Sequence, residues 1–504
     1  MQTEAARAKT IEDLIRIVKE HDPQANTERI REAFAFADQA HEGQMRASGE
    51  PYVTHSLQTA AYLASMRLPE NMIIAGLLHD VPEDTTYTIE DVQERFGEDI
   101  GSMVSGITKL GRLKYRGIER YIENLRKMFI AMAQDIRVII IKFADRFHNL
   151  ETLDALPSKK AYRIALETLQ IFAPIANRLG MGEMKGRLED ASFQYVYPKE
   201  YEWTMNLSKT TREGKREYLQ HVLGKTQDLL SQAGIQNVEV HGRAKHLYSL
   251  YRKLLRHDRD IARIYDLMAL RIIVPSIADC YAALGIIHGT WTPLKGRIKD
   301  YIAQPKPNGY ASLHTTVFCD EGEIVEFQIR TPELHNLAEY GIAAHWQYDE
   351  SKGQTSMSTE HLPHAEWIKQ IRELNSEVAN TNQYMNTLEE MKIDIFKDRI
   401  FVFTPKGDVI DLPEDSTPVD FAYVIHTEIG NKCSTAKVND RIEPLGTPLK
   451  SGDVVEIMVD KSRKGPNPDW LKFVKTRYAR SKIRQQAQVT LKSWISGFMP
   501  GGDV

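Results

Sequence analysis

The stretch AGLLHDVPEDT, residues 75–85, decides how the first part of the chain is read. An apolar run with helical spacing, ENMIIAGLLHD, ends in His79 and Asp80; Pro82, Glu83 and Asp84 follow at once. Pro82 forbids simple continuation of that helix, because its ring clashes with the carbonyl four residues back. Glu83 and Asp84 are therefore expected on a turn just beyond, where both can swing toward one cavity. Two further stretches supply matching side chains. KFADRFHNL (142–150) sets Asp145 and Asn149 four apart, on one helix face, and GEPYVTH (49–55) places His55 after a polar loop. Two imidazoles and two carboxylates suit a divalent ion of the manganese class, with positions left for water and phosphate. Glu83 and Asp84 can then orient or deprotonate that water. A single buried His or Asp is usually a satisfied core group, and His-Asp alone is a weak signal. Three separated pieces with complementary ligand types outweigh that reading.

Around this knot, text up to about residue 200 is helical, including RVIIIKFADRFHNLETL and AYRIALETLQIFAPIANRLG, with almost no strand pattern. Residues 200–240 read as a helical connector. From NVEVHGR (237–243) onward, strand-like runs alternate with helices: LMALRIIV (267–274), TTVFC (315–319) and IVEFQIR (324–330). A mixed sheet with helices packed on it is expected. Residues 351–365 are a polar, irregular loop, followed by helical text to about 390. DRIFVFTPKGDVIDLPEDSTPVDFAYVIH (398–426) reads as a hairpin around PKGD, then a turn and a short helix; PLKSGDVVEIMVD closes a small α+β module. The last forty residues are helical and basic.

With 504 residues the chain is too long for one ordinary core, so three or four domains are expected. A net charge of −4 gives no global sign of nucleic acid or membrane, and no apolar run approaches a membrane span. The amphipathic, charged start MQTEAARAKTIEDLIRIVKE is not a signal peptide. Cys280, Cys319 and Cys433 are far apart, which argues against a disulfide framework or a thiolate metal site. A cytoplasmic protein is expected.

A second charged constellation lies in HGRAKHLYSLYRKLLRHDRD (241–260). Lys245, Ser249 and Lys253 recur every four residues on one face, against an apolar stripe of Leu247, Leu250, Tyr251 and Leu254. Lysines near a helix N-terminus make a receptor for polyphosphate; a solvated basic face explains the pattern equally well. Downstream residues shift the balance. Asp266 precedes a strand carrying Arg271 amid apolar neighbours, and alternation in IVEFQIR turns Val325, Phe327 and Ile329 one way and Glu326, Gln328 and Arg330 the other. Asp266 and Glu326 can hold Mg²⁺ and handle a hydroxyl proton. Between them, KDYIAQPKPNGYASLHTT supplies Lys299, Lys306, Asn308, Tyr310 and His314, with an aromatic available to stack on a base. Taken singly, Tyr310 is also compatible with packing and His314 with a satisfied core histidine.

The run H…HDVPEDT…ADRFHN resembles the HD-domain hydrolases, and more closely the hydrolase half of the long RelA/SpoT homologues, the bifunctional (p)ppGpp synthetase/hydrolases. GRAKHLYSLYRK, IYDLMALRIIV, RIKDYIAQPKPNGYASLHTTV, EFQIRT and AEYGIAAHW resemble the synthetase domain of the same family, and residues 398–458 resemble a TGS domain of β-grasp fold. The resemblance implies an all-α HD hydrolase domain at 1–200, an α+β nucleotidyltransferase-like synthetase domain at 201–350, a linker at 351–394, the TGS domain at 395–460, and the basic start of a helical domain at 461–504. It implies His55, His79, Asp80 and Asp145 as ligands of Mn²⁺, Glu83 and Asp84 as the water-activating pair, Asn149 and Thr152 at the ribose, and Arg46 at the guanine. In the synthetase half it implies Arg243 and Arg271 around adenine, Lys245, Ser249, Lys253 and Lys306 on phosphates, Asp266 on Mg²⁺, Glu326 as a metal ligand or the general base, and Tyr310 on guanine. Lys299, Asn308, His314 and Gln328 complete that set. RIKD (297–300) matches the basic loop of bifunctional members.

The implied reactions are pyrophosphate transfer from ATP to the 3′-hydroxyl of GDP or GTP, releasing AMP, and hydrolysis of (p)ppGpp back. Both running at once would waste ATP, so nucleotide in one site is expected to bias the other. The implied partners are the ribosome and deacylated tRNA, with His426 at the tRNA 3′ end; a capping role for His426 is the simpler alternative. The segment from Lys461 to Trp494, with ten Lys/Arg and one acidic residue, suits RNA phosphates or a solvated helix face. Ala47, Pro82 and Glu151 depart from the family pattern. Long members continue past GFMPGGDV, so the chain is expected to be either truncated or a short member. Two other readings stay open: a synthetase whose HD half is only regulatory, and a ribosome- or tRNA-binding scaffold without either chemistry.

Overall fold

The computed structural model describes residues 8–111, 127–243, 245–261, 264, 267–306, 308–344, 399–406, 409–450, 453–463, 465–476 and 478–486. The linker expected at 351–394 lies outside them. The chain divides into two compact units, residues 1–377 and 378–504.

The first unit begins with helices α1 (Ile11–His21), α2 (Thr27–Ala40), α3 (Val53–Ser65), α4 (Glu70–Leu78), α5 (Val81–Asp84), α6 (Ile89–Phe96), α7 (Glu98–Gly111) and α8 (Ile136–Glu151). Next come α9 (Ser158–Glu167), a π-turn segment (Thr168–Phe172), α10 (Ala173–Arg178), α11 (Gly182–Val196), α12 (Pro198–Gly214) and α13 (Arg216–Gln232). Thr10 and Thr88 open α1 and α6 with capping boxes that satisfy N-terminal N–H groups. Helix α4 is buried from Met72 through Leu78, with no exposed face to spare, so it is a central element of the bundle. It stops at Leu78, and Pro82 occupies the first turn of α5, where its missing N–H costs nothing. Glu83 and Asp84 thus sit on a turn just beyond α4, and that turn is the one-turn helix α5.

Strand β1 (Glu239–Arg243), helix α14 (Leu247–Arg256), β2 (Ala269–Ile273), α15 (Ile277–Thr290), β3 (Thr292–Pro293), β4 (Lys299–Asp300), β5 (Leu313–Phe318), β6 (Ile324–Arg330) and α16 (Pro332–Tyr340) complete the unit. The strands form a six-stranded sheet in the order β1-β2-β6-β5-β3, with β4 also paired to β5. Only β2 and β6 run parallel; the remaining pairs are antiparallel. One face carries the core: Val325, Phe327 and Ile329, all with no exposed area, pack with Leu270, Ile272, Val317, Trp291 and residues of α13 and α15. Each such side chain contributes roughly 1.5–3 kcal/mol by leaving water. Helix α13, read as a connector at the start of the sheet domain, supplies Val222 and Leu230 to this core.

The boundary expected near residue 200 falls inside this unit. Helix α11 packs on α8 and also on α12, α14 and α16, so it touches both halves. At Gly341 (φ 57°) an added Cβ would lie 2.2 Å from Leu179 O, and Ile342 N–H donates to that carbonyl at 3.0 Å. Only glycine permits this approach.

The second unit holds the hairpin β7 (Arg399–Phe403) and β8 (Val409–Pro413), helices α17 (Pro418–Ile425) and α18 (Thr427–Lys432), and the sheet β10-β9-β11 (Arg441–Glu443, Cys433–Val438, Val455–Val459). A parallel bridge, Phe403 to Val454, ties hairpin to sheet. The segment after residue 460, expected to start a separate helical domain, puts Trp470, Val474, Ala479 and Ile483 into the same core as Val419, Ala422, Tyr423 and Cys433. The fully buried Asp420 carboxylate fastens it, accepting from the Lys475 and Thr476 N–H groups and the Thr476 hydroxyl while also capping α17 through Thr417.

Candidate active sites

The ends of α3, α4 and α8 bring the first constellation together. His55 Nε2 lies 3.4 Å from Asp80 Oδ2 and 3.1 Å from Asp145 Oδ1. His79 Nε2 lies 3.2 Å from Asp80 Oδ2 and 3.8 Å from Asp145 Oδ1. Ligand atoms of His55, His79 and Asp80 fall within 4.8 Å of one another. His79 Nδ1 faces the Gly76 carbonyl at 2.7 Å, so it donates there and leaves Nε2 free to ligate. That Nε2 is fully buried without a well-directed hydrogen bond. A buried orphan nitrogen beside two carboxylates fits a cation.

Electrostatics agree. Burial opposes ionisation of Asp80, yet His79 and His55 hold its carboxyl well below the usual range. Asp145 is likewise held low, against burial, by Lys142 and the two histidines. Burial alone would push His79 down, but Asp80 and Asp145 outweigh it and raise it to about 10. Glu83 is pushed up to about 7, by burial first and by Asp80 and Asp84, against Lys142. A carboxylate poised there suits proton transfer near neutrality. Asp84 accepts from the Tyr52 hydroxyl at 2.5 Å, and Tyr52 also donates to Asp80 at 3.0 Å.

Beside these groups a cavity of about 420 Å³ is lined by Arg46, Ala47, Tyr52, Lys142, Asn149 and Thr152, among others. Arg46 donates to Asn149 Oδ1 at 2.6 Å, and Asn149 donates to Asp145 Oδ1 at 2.5 Å. Every residue named for this half therefore lies at one site. Tyr52, Lys142 and His148 belong to it too. All three stand inside the quoted stretches, and Lys142 and His148 are each three residues from Asp145, on its helix face. Of the family departures, only Ala47 lines this cavity. Pro82 opens α5, and Glu151 accepts a hydrogen bond from Tyr62 and lines a different cleft.

That cleft, about 1230 Å³, lies between α11, α12, α14 and the sheet face opposite the core. Strand register orders the sheet face that carries it. Lys299 pairs with His314, His314 with Gln328, Gln328 with Arg271, and Arg271 with His241, so one row of polar side chains crosses five strands. Glu326 pairs with Ala269 and Thr316 in the next row on the same face. Gln328 Nε2 donates to Glu326 Oε1 at 2.8 Å; His314 Nδ1 is 3.3 Å from that oxygen, and His314 Nε2 is 2.7 Å from the Tyr310 hydroxyl. His314 is thus satisfied, and it is satisfied by Glu326.

Arg243, Lys245, Ser249, Arg271, Lys306, Asn308, Tyr310 and Gln328 line the cleft. Lys253, Lys299, His314 and Glu326 are not among its lining residues. Helix α14 begins at Leu247, so Lys245 precedes it and the expected three-residue row on one helix face reduces to Ser249 and Lys253. Asp266 lies outside the described residues. Arg271 and Arg330 both pair with Glu339, at 2.8 and 2.9 Å. Lys306, beside the rings of Tyr301 and Tyr310, is pushed down to about 8 by burial and by Lys299, Lys185 and Arg243. Crowded positive charge of this kind suits polyphosphate.

Sequence reading missed what α11 adds. Asp190 accepts from Tyr248 N and faces His246 Nδ1, both at 2.9 Å; Ser249 donates to Glu189 at 3.4 Å; Lys185 is 3.7 Å from Glu189. The helical text up to residue 200 gave no reason to place the acids of α11 against α14. In the second unit His426 is exposed at the junction of α17 and α18, and its Nδ1 accepts from Glu428 N at 3.2 Å, a capping contact.

The sequence matches the HD domain over residues 33–182, the region found in RelA / SpoT proteins over 242–353 and the TGS domain over 400–459. It is 45% identical to a GTP pyrophosphokinase of Myxococcus xanthus, over 93% of this chain and 61% of that protein. It is 46% identical to a guanosine-3′,5′-bis(diphosphate) 3′-pyrophosphohydrolase of Aquifex aeolicus, over 94% and 66%. The bifunctional (p)ppGpp synthase/hydrolase SpoT of Escherichia coli is 44% identical, over 94% of this chain and 67% of that protein. The chain thus spans about three fifths to two thirds of the length of these curated relatives. With the three regions in order and this identity across nearly its whole length, the chain belongs to the RelA/SpoT family.

Proposed function

We propose that the chain is a bifunctional stringent-response enzyme. The sheet cleft transfers pyrophosphate from ATP to the 3′-hydroxyl of GDP or GTP; the helical site hydrolyses the 3′-pyrophosphate of (p)ppGpp. The observation that carries this reading is the convergence of His55, His79, Asp80 and Asp145 on one buried point, 3.1–3.8 Å apart, in a chain whose separate basic cleft is built on a sheet.

In the helical site those four residues would hold a divalent cation, Mn²⁺ by donor chemistry. Such an ion neutralises phosphate charge and eases deprotonation of water. Glu83 takes the proton from the attacking water, Asp84 and Tyr52 orient it, and Arg46, Asn149 and Thr152 hold the nucleoside. Attack on the 3′-linked phosphorus breaks its bond to the ribose oxygen, releasing pyrophosphate and GDP or GTP.

In the cleft, Glu326 takes the proton from the 3′-hydroxyl, held in place by Gln328 and His314. Asp266 and Glu326 are proposed to hold Mg²⁺. Lys245, Ser249, Lys253, Lys299, Lys306 and Asn308 gather the phosphates, Arg243 and Arg271 the adenine, and Tyr310 the guanine. In-line attack at the β-phosphorus of ATP expels AMP. The charged ammonium is the phosphate-binding form of Lys306. With its pKa pushed down to about 8 in the free enzyme, kcat/KM for synthesis is flat below that pH and falls above it. Lys306→Arg, which stays charged, removes that alkaline fall; a pH profile of AMP formation checks both.

Helix α11 supports mutual control, because it joins the Asp145 helix to the phosphate helix. A non-reactive ATP analogue is expected to slow (p)ppGpp hydrolysis by at least ~5-fold; an unchanged rate counts against coupling. The TGS module and the basic segment after Lys461 are proposed to meet deacylated tRNA and the ribosome, with His426 at the tRNA end, in the cytoplasm. No helix among the described residues is long and apolar enough to cross a membrane. The reading is tested by resolving nucleotides after incubation with ATP plus GDP, and separately with ppGpp plus Mn²⁺.

A further inference from the structure

His148 is buried, 6% exposed, behind the helical site and is neither a proposed ligand nor a lining residue of its cavity. Its Nδ1 nevertheless stands at a junction. Arg46 NH1 approaches that nitrogen at 2.9 Å, and His55 Nδ1 approaches it at 2.8 Å. A guanidinium can only donate, so His148 Nδ1 is the acceptor and its ring proton sits on Nε2. His55 Nδ1, facing the same lone pair, must then be the protonated nitrogen of its own ring. In the neutral ring, the form that can ligate a metal, that leaves the lone pair on His55 Nε2, and this is the nitrogen that faces Asp80 and Asp145.

We propose that His148 is a positioning residue that locks His55 in its metal-ready tautomer, and that Arg46 and His55 compete for its single lone pair. The inference rests on the reading of His55, His79, Asp80 and Asp145 as a cation site. The two proposed histidine ligands are then oriented differently. His79 leans on a backbone carbonyl, which nothing in the cavity contests. His55 leans on a side chain that it shares with the residue assigned to the nucleotide base. When Arg46 turns to a bound guanine nucleotide, the whole lone pair passes to His55. Metal and nucleotide binding therefore reinforce each other through one atom.

The test is Mn²⁺ binding to the full chain, followed by the paramagnetic resonance signal of the free ion, with thermal unfolding of the metal-free protein alongside. His148→Leu fills the space but cannot accept a hydrogen bond, and weakens Mn²⁺ binding by roughly 10–100-fold, the range for losing an outer-shell partner of a metal ligand. His148→Asn places an amide oxygen near the Nδ1 position and keeps affinity within about threefold of the parent. Arg46→Leu, which frees the lone pair, binds Mn²⁺ at least as tightly as the parent and loses the gain in Mn²⁺ affinity that GDP gives the parent. Equal losses in the Leu and Asn variants, or parental affinity in His148→Leu, overturn the proposal. Should His148→Leu fail to fold, weaker Mn²⁺ binding by Arg46→Leu overturns it instead. A parent chain that binds no Mn²⁺ overturns the cation-site reading itself, which is a different failure.

Discussion

Asp80→Ala abolishes loss of (p)ppGpp in the presence of Mn²⁺ and leaves AMP formation from ATP and GDP in place. The Asp80 carboxylate is the one group within 3.4 Å of both proposed imidazole ligands, and it also receives the Tyr52 hydroxyl that orients Asp84. Its removal takes away one of two anionic ligands and unties the water-activating pair. Losing an outer-shell partner alone costs roughly 10–100-fold in metal affinity or activity, so the loss of a ligand is expected to exceed ~100-fold in hydrolysis. Synthesis is expected to be spared because neither Asp80 nor the helices on either side of it line the cleft assigned to that reaction. The check is a product-resolved rate for each reaction on parent and variant, with circular dichroism to show that the bundle persists. Hydrolysis that survives in the variant at the parental rate would mean the HD half is regulatory.

Glu326→Gln does the reverse. The substitution keeps the shape of the side chain and its place in the register, so the sheet core beneath, Val325, Phe327 and Ile329, is untouched. It removes the negative charge that His314 and Gln328 converge upon. A general base is worth about 10²–10⁴-fold, and the same carboxylate is assigned to Mg²⁺, so AMP formation falls by at least the upper part of that range. Hydrolysis of ppGpp continues. A variant that still makes AMP at a tenth of the parental rate would remove Glu326 from the chemistry.

How much of this was legible beforehand follows from the kind of signal each part sends. The cluster of His55, His79, Asp80 and Asp145 was readable because its chemistry is carried by residue type, and His-Asp-Val-Pro-Glu-Asp is a poor core sequence. Strand alternation in IVEFQIR was readable because its period of two survives in any sheet. What alternation could not give was the neighbour: that Gln328 faces His314 and Arg271, forming one row across five strands, depends on register set by distant segments. The helix at 241–260 was read as starting too early, since Lys245 continues the basic spacing but lies two residues before α14. His148 was passed over because an imidazole beside a guanidinium and another imidazole has no local pattern. Glu151 stood out only as a departure from the family pattern; that its carboxylate meets Tyr62 and the other cleft depends on packing the sequence does not show. The segment after residue 460 sent only its charge, while the apolar residues that seat it, Trp470, Val474, Ala479 and Ile483, are too sparse to announce a shared core.

The central claim is that one polypeptide holds two separate phosphate chemistries. It is tested most directly by a single nucleotide-resolved assay run on three proteins in parallel: the parent, Asp80→Ala and Glu326→Gln. The account predicts AMP and ppGpp from ATP plus GDP, and GDP plus pyrophosphate from ppGpp with Mn²⁺, with each variant losing one reaction and keeping the other. A parent that performs neither reaction, or variants that lose both together, would contradict it.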